Sequence, residues 1–243
     1  MLNDMIKALF IDIDDTILDF VGYVKETMKI GFGKFGLPEY EPWMYDVFHE
    51  KNGELWRGLE RGELTFEDIK RNRWNRIFEA LGIEGDGQAF EEFFRACLHD
   101  SGILMPGAKE TLESFSSRYM LFAASNGPED QQRNRLKVAG IDTLFIDVFT
   151  SGGLGASKPT KEFFDKCMEK VNSYTANHNL PQVEREEILM IGDSLTSDIN
   201  GAVTYGLKCC LFDPSGTLFY GRNDIDYKVT SWNELREILN ERE

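Results

Sequence analysis

Two carboxylates spaced i, i+2 end a short apolar run in Lys7-Ala8-Leu9-Phe10-Ile11-Asp12-Ile13-Asp14-Asp15-Thr16. Such a run suits the interior of a parallel sheet, and ligands of open α/β sheets gather beyond the carboxyl ends of the strands. Acidic groups placed there are costly unless a cation or a reaction needs them. A turn beginning at Asp12 would bring its carboxylate and the backbone carbonyl of Asp14 to one ion, and hard oxygen ligands suit Mg²⁺. A helix-loop-helix Ca²⁺ site requires glycine at the sixth position, where this chain has Ile17. A surface Asx turn closing the strand is the plain structural alternative.

The scheme recurs in Ile188-Leu189-Met190-Ile191-Gly192-Asp193-Ser194-Leu195-Thr196-Ser197-Asp198. Gly192 would permit a tight turn or a positive φ. Asp193 would face Asp12 as a metal ligand, and Asp198 would cap the next helix or orient a metal-bound water. Two more apolar runs end in complementary groups. One leads into Ser125-Asn126-Gly127, a hydroxyl and backbone N–H groups just before a helix, which makes an anion site. The other leads through the glycine-rich loop 151–157 to Lys158-Pro159, whose rigid proline would aim the ammonium. A solvated surface charge is the ordinary state of a lysine, but a place between strand and helix favours the site.

The elements that must position these groups alternate along the chain. Strand-like runs fall at 6–11, 119–124, 146–149, 188–191, 208–212 and 227–229. Helix-like segments fall at 107–116, 128–139, 160–171, 197–205 and 232–239, the last with the capping-box pair Ser231 and Glu234. The alternation predicts an α/β fold with a doubly wound parallel sheet. The stretch 21–98 instead has helical periodicity at 23–35, 42–52, 65–81 and 88–98, an inserted all-helical domain expected to cap the carboxyl edge of the sheet. The expected division is a core of residues 1–17 and 104–243 and a cap of 18–103. The polar stretch 172–187 reads as a surface excursion.

Composition narrows the partners. In 243 residues, 42% are apolar and 12% aromatic, enough for a real core, while a formal charge of −15 opposes a sequence-independent grip on nucleic acid. No apolar run reaches the roughly 18 residues of a membrane span, and residues 1–7 lack the form of a signal peptide. The four cysteines form no CxxC pair, and adjacent Cys209 and Cys210 lie in an apolar run, as buried thiols of a reducing, cytoplasmic setting do. His49, His99 and His178 are too scattered for a zinc site. Gly31-Phe32-Gly33-Lys34-Phe35-Gly36 matches GxGxxG but follows a helical segment, so a helix end and turn is the better reading.

In order, Asp12-Ile-Asp14-Asp15-Thr16, Ser125, Lys158-Pro159 and Gly192-Asp193 with Asp198 resemble the four motifs of the haloacid dehalogenase superfamily of phosphohydrolases over nearly the whole chain. The insertion after the first motif, with Ser125 and Lys158 only 33 positions apart, is similar to the helical-cap class. The resemblance implies a Rossmann-like core and a nucleophilic Asp12 that becomes an aspartyl phosphate. It implies Asp14 as general acid and base, and Mg²⁺ held by Asp12, Asp193 and the Asp14 carbonyl. Ser125, Asn126 and Lys158 would bind the phosphoryl oxygens. A second acid at Asp14 disfavours halide displacement. A cap lysine forming a Schiff base, with Lys25, Lys29 and Lys34 as candidates, is a remote option.

The pattern from Glu54 to Thr65, with Pro106-Gly107-Ala108, further resembles bacterial pyrimidine nucleotidases of this superfamily, with Ser125 where threonine is usual. Phe20, Trp43, Tyr45 and Trp56 offer planar surface for a base and Arg57 could reach a polar substituent, although aromatics also build cap cores. The leading expectation is a Mg²⁺-dependent phosphomonoesterase for a small phosphorylated metabolite, foremost a nucleoside 5′-monophosphate, working as monomer or homodimer away from nucleic-acid polymers and membranes. Sugar-phosphate or phosphoglycolate phosphatase, phosphomutase, and a non-catalytic phosphate sensor are the alternatives. Asp15 has no assigned task.

Overall fold

A computed structural model describes residues 6–218 and 222–240. The reading of residues 1–7 as lacking a signal peptide lies almost wholly outside them. The chain divides into two compact units, one of Met1–Asp19 with Gly102–Glu243 and one of Phe20–Ser101.

The first unit is built on six strands, β1 (Ala8–Ile11), β2 (Met120–Ser125), β3 (Asp147–Thr150), β4 (Ile188–Gly192), β5 (Lys208–Phe212) and β6 (Tyr227–Val229). All pair in parallel in the order β3-β2-β1-β4-β5-β6, the doubly wound arrangement with its reversal between β1 and β4. The strands are apolar on both sides because both faces are covered. Leu9, Ile11, Leu121, Ala123, Leu189 and Ile191 enter one cluster with Leu112, Phe115, Trp232 and Leu235. Ala8, Phe10, Phe122, Ala124 and Met190 enter the other with Phe163, Phe164, Cys167 and Ala202. Register aligns Ile11 with Ala123 and Ile191, so Asp12 leaves β1 beside the last residues of β2 and β4, Ser125 and Gly192.

The second unit holds four helices, α1 (Phe20–Lys34), α2 (Trp43–Glu60), α3 (Phe66–Leu81) and α4 (Gly87–His99). A capping box starts α3, where Asp68 N–H donates to Thr65 Oγ1 and Thr65 N–H donates to Asp68 Oδ2, and Gly82 ends it with φ 67°. Tyr23, Phe32, Phe48, Trp74, Phe78, Phe90 and Phe94 make its core. Within that core Arg73 donates to Glu91 through Nη2 (2.6 Å) and Nε (3.0 Å), the paired geometry a buried charge requires.

The remaining helices belong to the first unit: α5 (Ala108–Ser116), α6 (Glu129–Val138), α7 (Ser151–Leu154), α8 (Lys161–Asn177), α9 (Asn200–Tyr205) and α10 (Trp232–Asn240). Four details depart from the sequence reading. Helix α2 runs on past 52 to Glu60, ending only where Gly62 turns with φ 71°, so the Glu54–Gly62 pattern is mostly helix. Helix α8 continues to Asn177, which shortens the surface excursion. The expected helix at 197–205 begins with a wide π-type turn, Leu195–Ile199, before α9. At α10, Ser231 caps Glu234 N–H, but the Glu234 carboxylate reaches Thr230 N–H, one residue beyond the expected box. The GxGxxG segment is the end of α1, closed by Gly36 at φ 66°. No helix among the described residues is long and apolar enough to cross a membrane.

Candidate active site

The carboxyl ends of β1, β2 and β4 gather a cluster of buried charged groups, Asp12, Lys158 and Asp198. Asp12 leaves β1 while its N–H still donates to Ile191 O at 2.8 Å, which fixes its Cα beside β4. Lys158 is 1% exposed, and its Nζ spends its three hydrogens on Asp12 Oδ1, Asp198 Oδ1 and Ala124 O, each at 2.6 Å. The solvated-charge alternative for Lys158 is therefore wrong. Burial works against the ammonium, but the carboxylates of Asp12 and Asp198 outweigh it and hold its pKa above the ordinary lysine value.

Asp12, Asp193 and Asp198 each offer a carboxylate oxygen within 4.8 Å of the others. Burial pushes Asp12 up to about 8 against the pull of Lys158, with Asp198 and Asp14 adding repulsion. Desolvation and the charges of Asp12, Asp198 and Asp15 drive Asp193 well above the carboxylate range. These hard oxygen donors with uncompensated negative charge fit a small divalent cation. Asp198 is not the N-cap of the following turn: it is fully buried, holds Lys158 through Oδ1, and accepts Ser194 N–H on Oδ2 at 3.1 Å. The cap of the wide turn is instead Ser194, whose Oγ accepts Ser197 N–H. Gly192 is not at positive φ; a Cβ there would collide with the Asp198 carboxylate and lie 2.7 Å from its Cβ, so the glycine makes room for that buried side chain.

Asn126 does something other than offer its side chain to an anion. Its Nδ2 donates to Lys158 O (2.9 Å) and its Oδ1 accepts Lys158 N–H (2.8 Å), clamping the segment that delivers the lysine. Ser151 Oγ in turn donates to Asn126 O at 2.8 Å. Ser125, 3% exposed, ends β2 with its Oγ accepting Gly127 N–H at 3.0 Å. Asp14, partly exposed, receives Arg135 Nη1 on Oδ1 (2.6 Å) and Gln132 Nε2 on Oδ2 (2.8 Å). The sequence reading missed Gln132 and Arg135. A signal for them existed: the buried face of α6 reads Gln131, Gln132, Arg135 and Leu136, where an ordinary amphipathic helix would bury apolar residues.

Within the helical unit the candidates have different surroundings. Phe20, half-buried at the start of α1, packs its ring 5.9 Å from Tyr23 and 6.4 Å from both Phe48 and Phe94, as a member of the aromatic core. Trp56 lies 6.1 Å from Phe66, Arg57 is exposed on α2, and Trp43 is exposed. Tyr45 stacks on Phe48 at 6.2 Å with Lys25 Nζ 4.5 Å over its ring.

A family model for haloacid dehalogenase-like hydrolases matches residues 6–206. YfnB of Bacillus subtilis (strain 168) is 30% identical over 234 residues, covering 96% of this chain and 95% of its own. Its crystal structure bound to magnesium superposes with a TM-score of 0.83 over 97% of this chain and 99% of that one. Pyrimidine 5′-nucleotidase PynA of Streptococcus pneumoniae (strain ATCC BAA-255 / R6) is 29% identical over 96% of this chain and 94% of its own. Pyrimidine 5′-nucleotidase YjjG of Escherichia coli (strain K12) is 25% identical over 95% and 96%.

Proposed function

This chain belongs to the haloacid dehalogenase-like hydrolase family and is a phosphatase of that family, and on that premise we propose that it hydrolyses nucleoside 5′-monophosphates through a phosphorylated Asp12. The observation that carries the chemistry is the three-way junction in which one buried ammonium holds Asp12 and Asp198 at 2.6 Å beside Asp193. The nucleotide as substrate is supported by the two pyrimidine nucleotidases among the relatives, each aligned over nearly its full length.

In this reading an Asp12 oxygen forms a bond to phosphorus as the bond from phosphorus to the ester oxygen breaks, and the protonated Asp14 gives its proton to the departing alkoxide. Asp14 then takes a proton from water as that water attacks phosphorus, which cleaves the acyl phosphate and restores the Asp12 carboxylate. The Ser125 hydroxyl would hold a transferring oxygen and the Lys158 ammonium, bonded to Asp12, would offset the charge there, with Asn126 keeping Lys158 in place. Asp12, Asp193 and the Asp14 carbonyl would hold Mg²⁺, which offsets the repulsion between an anionic nucleophile and a phosphate. The four unpaired thiols, three of them buried, support a reducing, cytoplasmic setting.

A panel of nucleoside monophosphates, sugar phosphates and phosphoglycolate, compared by kcat/KM with Mg²⁺, tests the substrate. Pyrimidine 5′-monophosphates are expected to lead. A tenfold preference for a sugar phosphate, about 1.4 kcal/mol of transition-state discrimination, overturns the nucleotide assignment while leaving the phosphatase intact.

A further inference from the structure

We propose that Gln132 and Arg135 are positioning residues that turn the Ser125 hydroxyl into a pure donor and fix the carboxylate plane of Asp14. The inference rests on the phosphatase reading and deepens it. Both side chains are buried, Gln132 fully and Arg135 to 1% exposure, a placement that long polar side chains tolerate only when each polar atom is used.

The orientation of the Gln132 amide follows from donor and acceptor inventory. A guanidinium has donors only, and Arg135 Nη1 lies 2.9 Å from the Gln132 side chain, so the atom it meets must be the carbonyl oxygen Oε1. The amide NH₂ therefore faces the other way. Its two hydrogens match two acceptors, Asp14 Oδ2 and Ser125 Oγ, each at 2.8 Å. The reversed amide would set NH₂ against a guanidinium and a carbonyl against a carboxylate, two repulsive contacts in place of three bonds.

The polarity passes on to Ser125. A hydroxyl oxygen has two lone pairs, and here one accepts Gln132 Nε2–H and the other Gly127 N–H at 3.0 Å. The serine hydrogen is then free to be given to an anion, and the oxygen has no lone pair left to repel one. Asp14 is gripped on both oxygens from α6, by Arg135 on Oδ1 and Gln132 on Oδ2, which fixes its rotamer while its outer side stays open to solvent. Gly127 belongs to the same device: a Cβ there would lie 2.5 Å from Gln132 Nε2 and 2.9 Å from its Cδ.

Gln132→Glu keeps the shape and puts an acceptor where the donor stood, and Gly127→Ala displaces the amide without changing it. Each variant is assayed on an alkyl phosphate, a nucleoside 5′-monophosphate, and on p-nitrophenyl phosphate, whose good leaving group needs little protonation. Binding of inorganic phosphate is followed by calorimetry. The proposal expects kcat on the alkyl ester to fall ten- to a hundredfold, within the range of general acid–base catalysis, but only a few-fold on the aryl ester. Phosphate binding weakens about tenfold and the melting temperature of at least one variant stays near that of wild type. Equal losses on both esters with phosphate binding unchanged, or no loss at all, overturn it. Failure of wild type to hydrolyse either ester instead sinks the phosphatase reading, a result visible before any variant is made.

Discussion

Replacing Lys158 by methionine keeps the unbranched apolar stem of the side chain and removes the one ammonium that joins Asp12, Asp198 and the Ala124 carbonyl. Two buried carboxylates then face each other, with Asp193 within 4.8 Å. Breaking a buried ion pair by deleting one partner costs about 3–5 kcal/mol. For a chain of this size that corresponds to a fall of roughly 6–20 °C in melting temperature. The loss has a definite pH dependence. Asp12 carries a folded-state pKa of about 8 against an ordinary value of 3.8, so the stability it contributes is complete below 3.8 and is lost as pH rises through 8. Without the pull of Lys158 that pKa moves higher still, and the repulsion between the ionised acids is unrelieved above it. The deficit of the variant should be smallest near pH 5 and grow as pH rises through 8 and beyond, as followed by urea unfolding at a series of pH values. Added Mg²⁺ should recover part of it at pH 8. A deficit that is independent of pH, or smaller than about 1 kcal/mol, would refute the view that this lysine relieves the repulsion between Asp12 and Asp198.

Three other perturbations read separate parts of the molecule. Gly192→Ala should push the Asp198 carboxylate off Lys158 and lower kcat at least tenfold, about 1.4 kcal/mol, and a variant of full activity would contradict the tight approach. In the helical unit, Glu91→Leu should cost about 3–5 kcal/mol by stranding Arg73, whereas Arg73→Met combined with Glu91→Leu should recover most of it; additive losses in calorimetry would show the pair is not coupled. The buried Thr16 hydroxyl has no hydrogen-bond partner among the described residues, so Thr16→Val should be neutral or stabilising by up to about 1 kcal/mol, and a clear loss in chemical denaturation would reveal a partner.

What the sequence disclosed and what it hid have separate physical causes. Strands buried on both faces are continuous apolar runs, so β1, β2, β4 and β5 could be found within about one or two residues, and the acids and lysine at their ends came with them. Helix ends were less visible, because α2 continues through Gly53 and Gly58 and α8 through Asn172, Ser173 and Thr175, weak helix formers that burial of Leu55, Gly58 and Thr175 holds in the helix until Gly62 and His178. The roles of Asp198, Asn126 and Gly192 were hidden for another reason. Asp198 and Asn126 act on Lys158, 40 and 32 positions away, and Gly192 acts by yielding space to a side chain whose direction only the folded turn sets. Spacing along a chain carries no record of such contacts. Gln132 and Arg135 lie on α6, whose ends are marked by sequence but whose buried face is polar, so no apolar stripe points to it.

The most direct test of the account is to find the phosphoryl group during turnover. Wild-type protein mixed with Mg²⁺ and a nucleoside 5′-monophosphate is quenched in acid, digested and mapped by mass spectrometry. The account predicts a phosphorylated peptide whose modification maps to Asp12, absent from Asp12→Asn together with Mg²⁺-dependent phosphate release. Sustained phosphate release by Asp12→Asn, or a phosphoryl group mapped to Asp14 or Asp193, would contradict it.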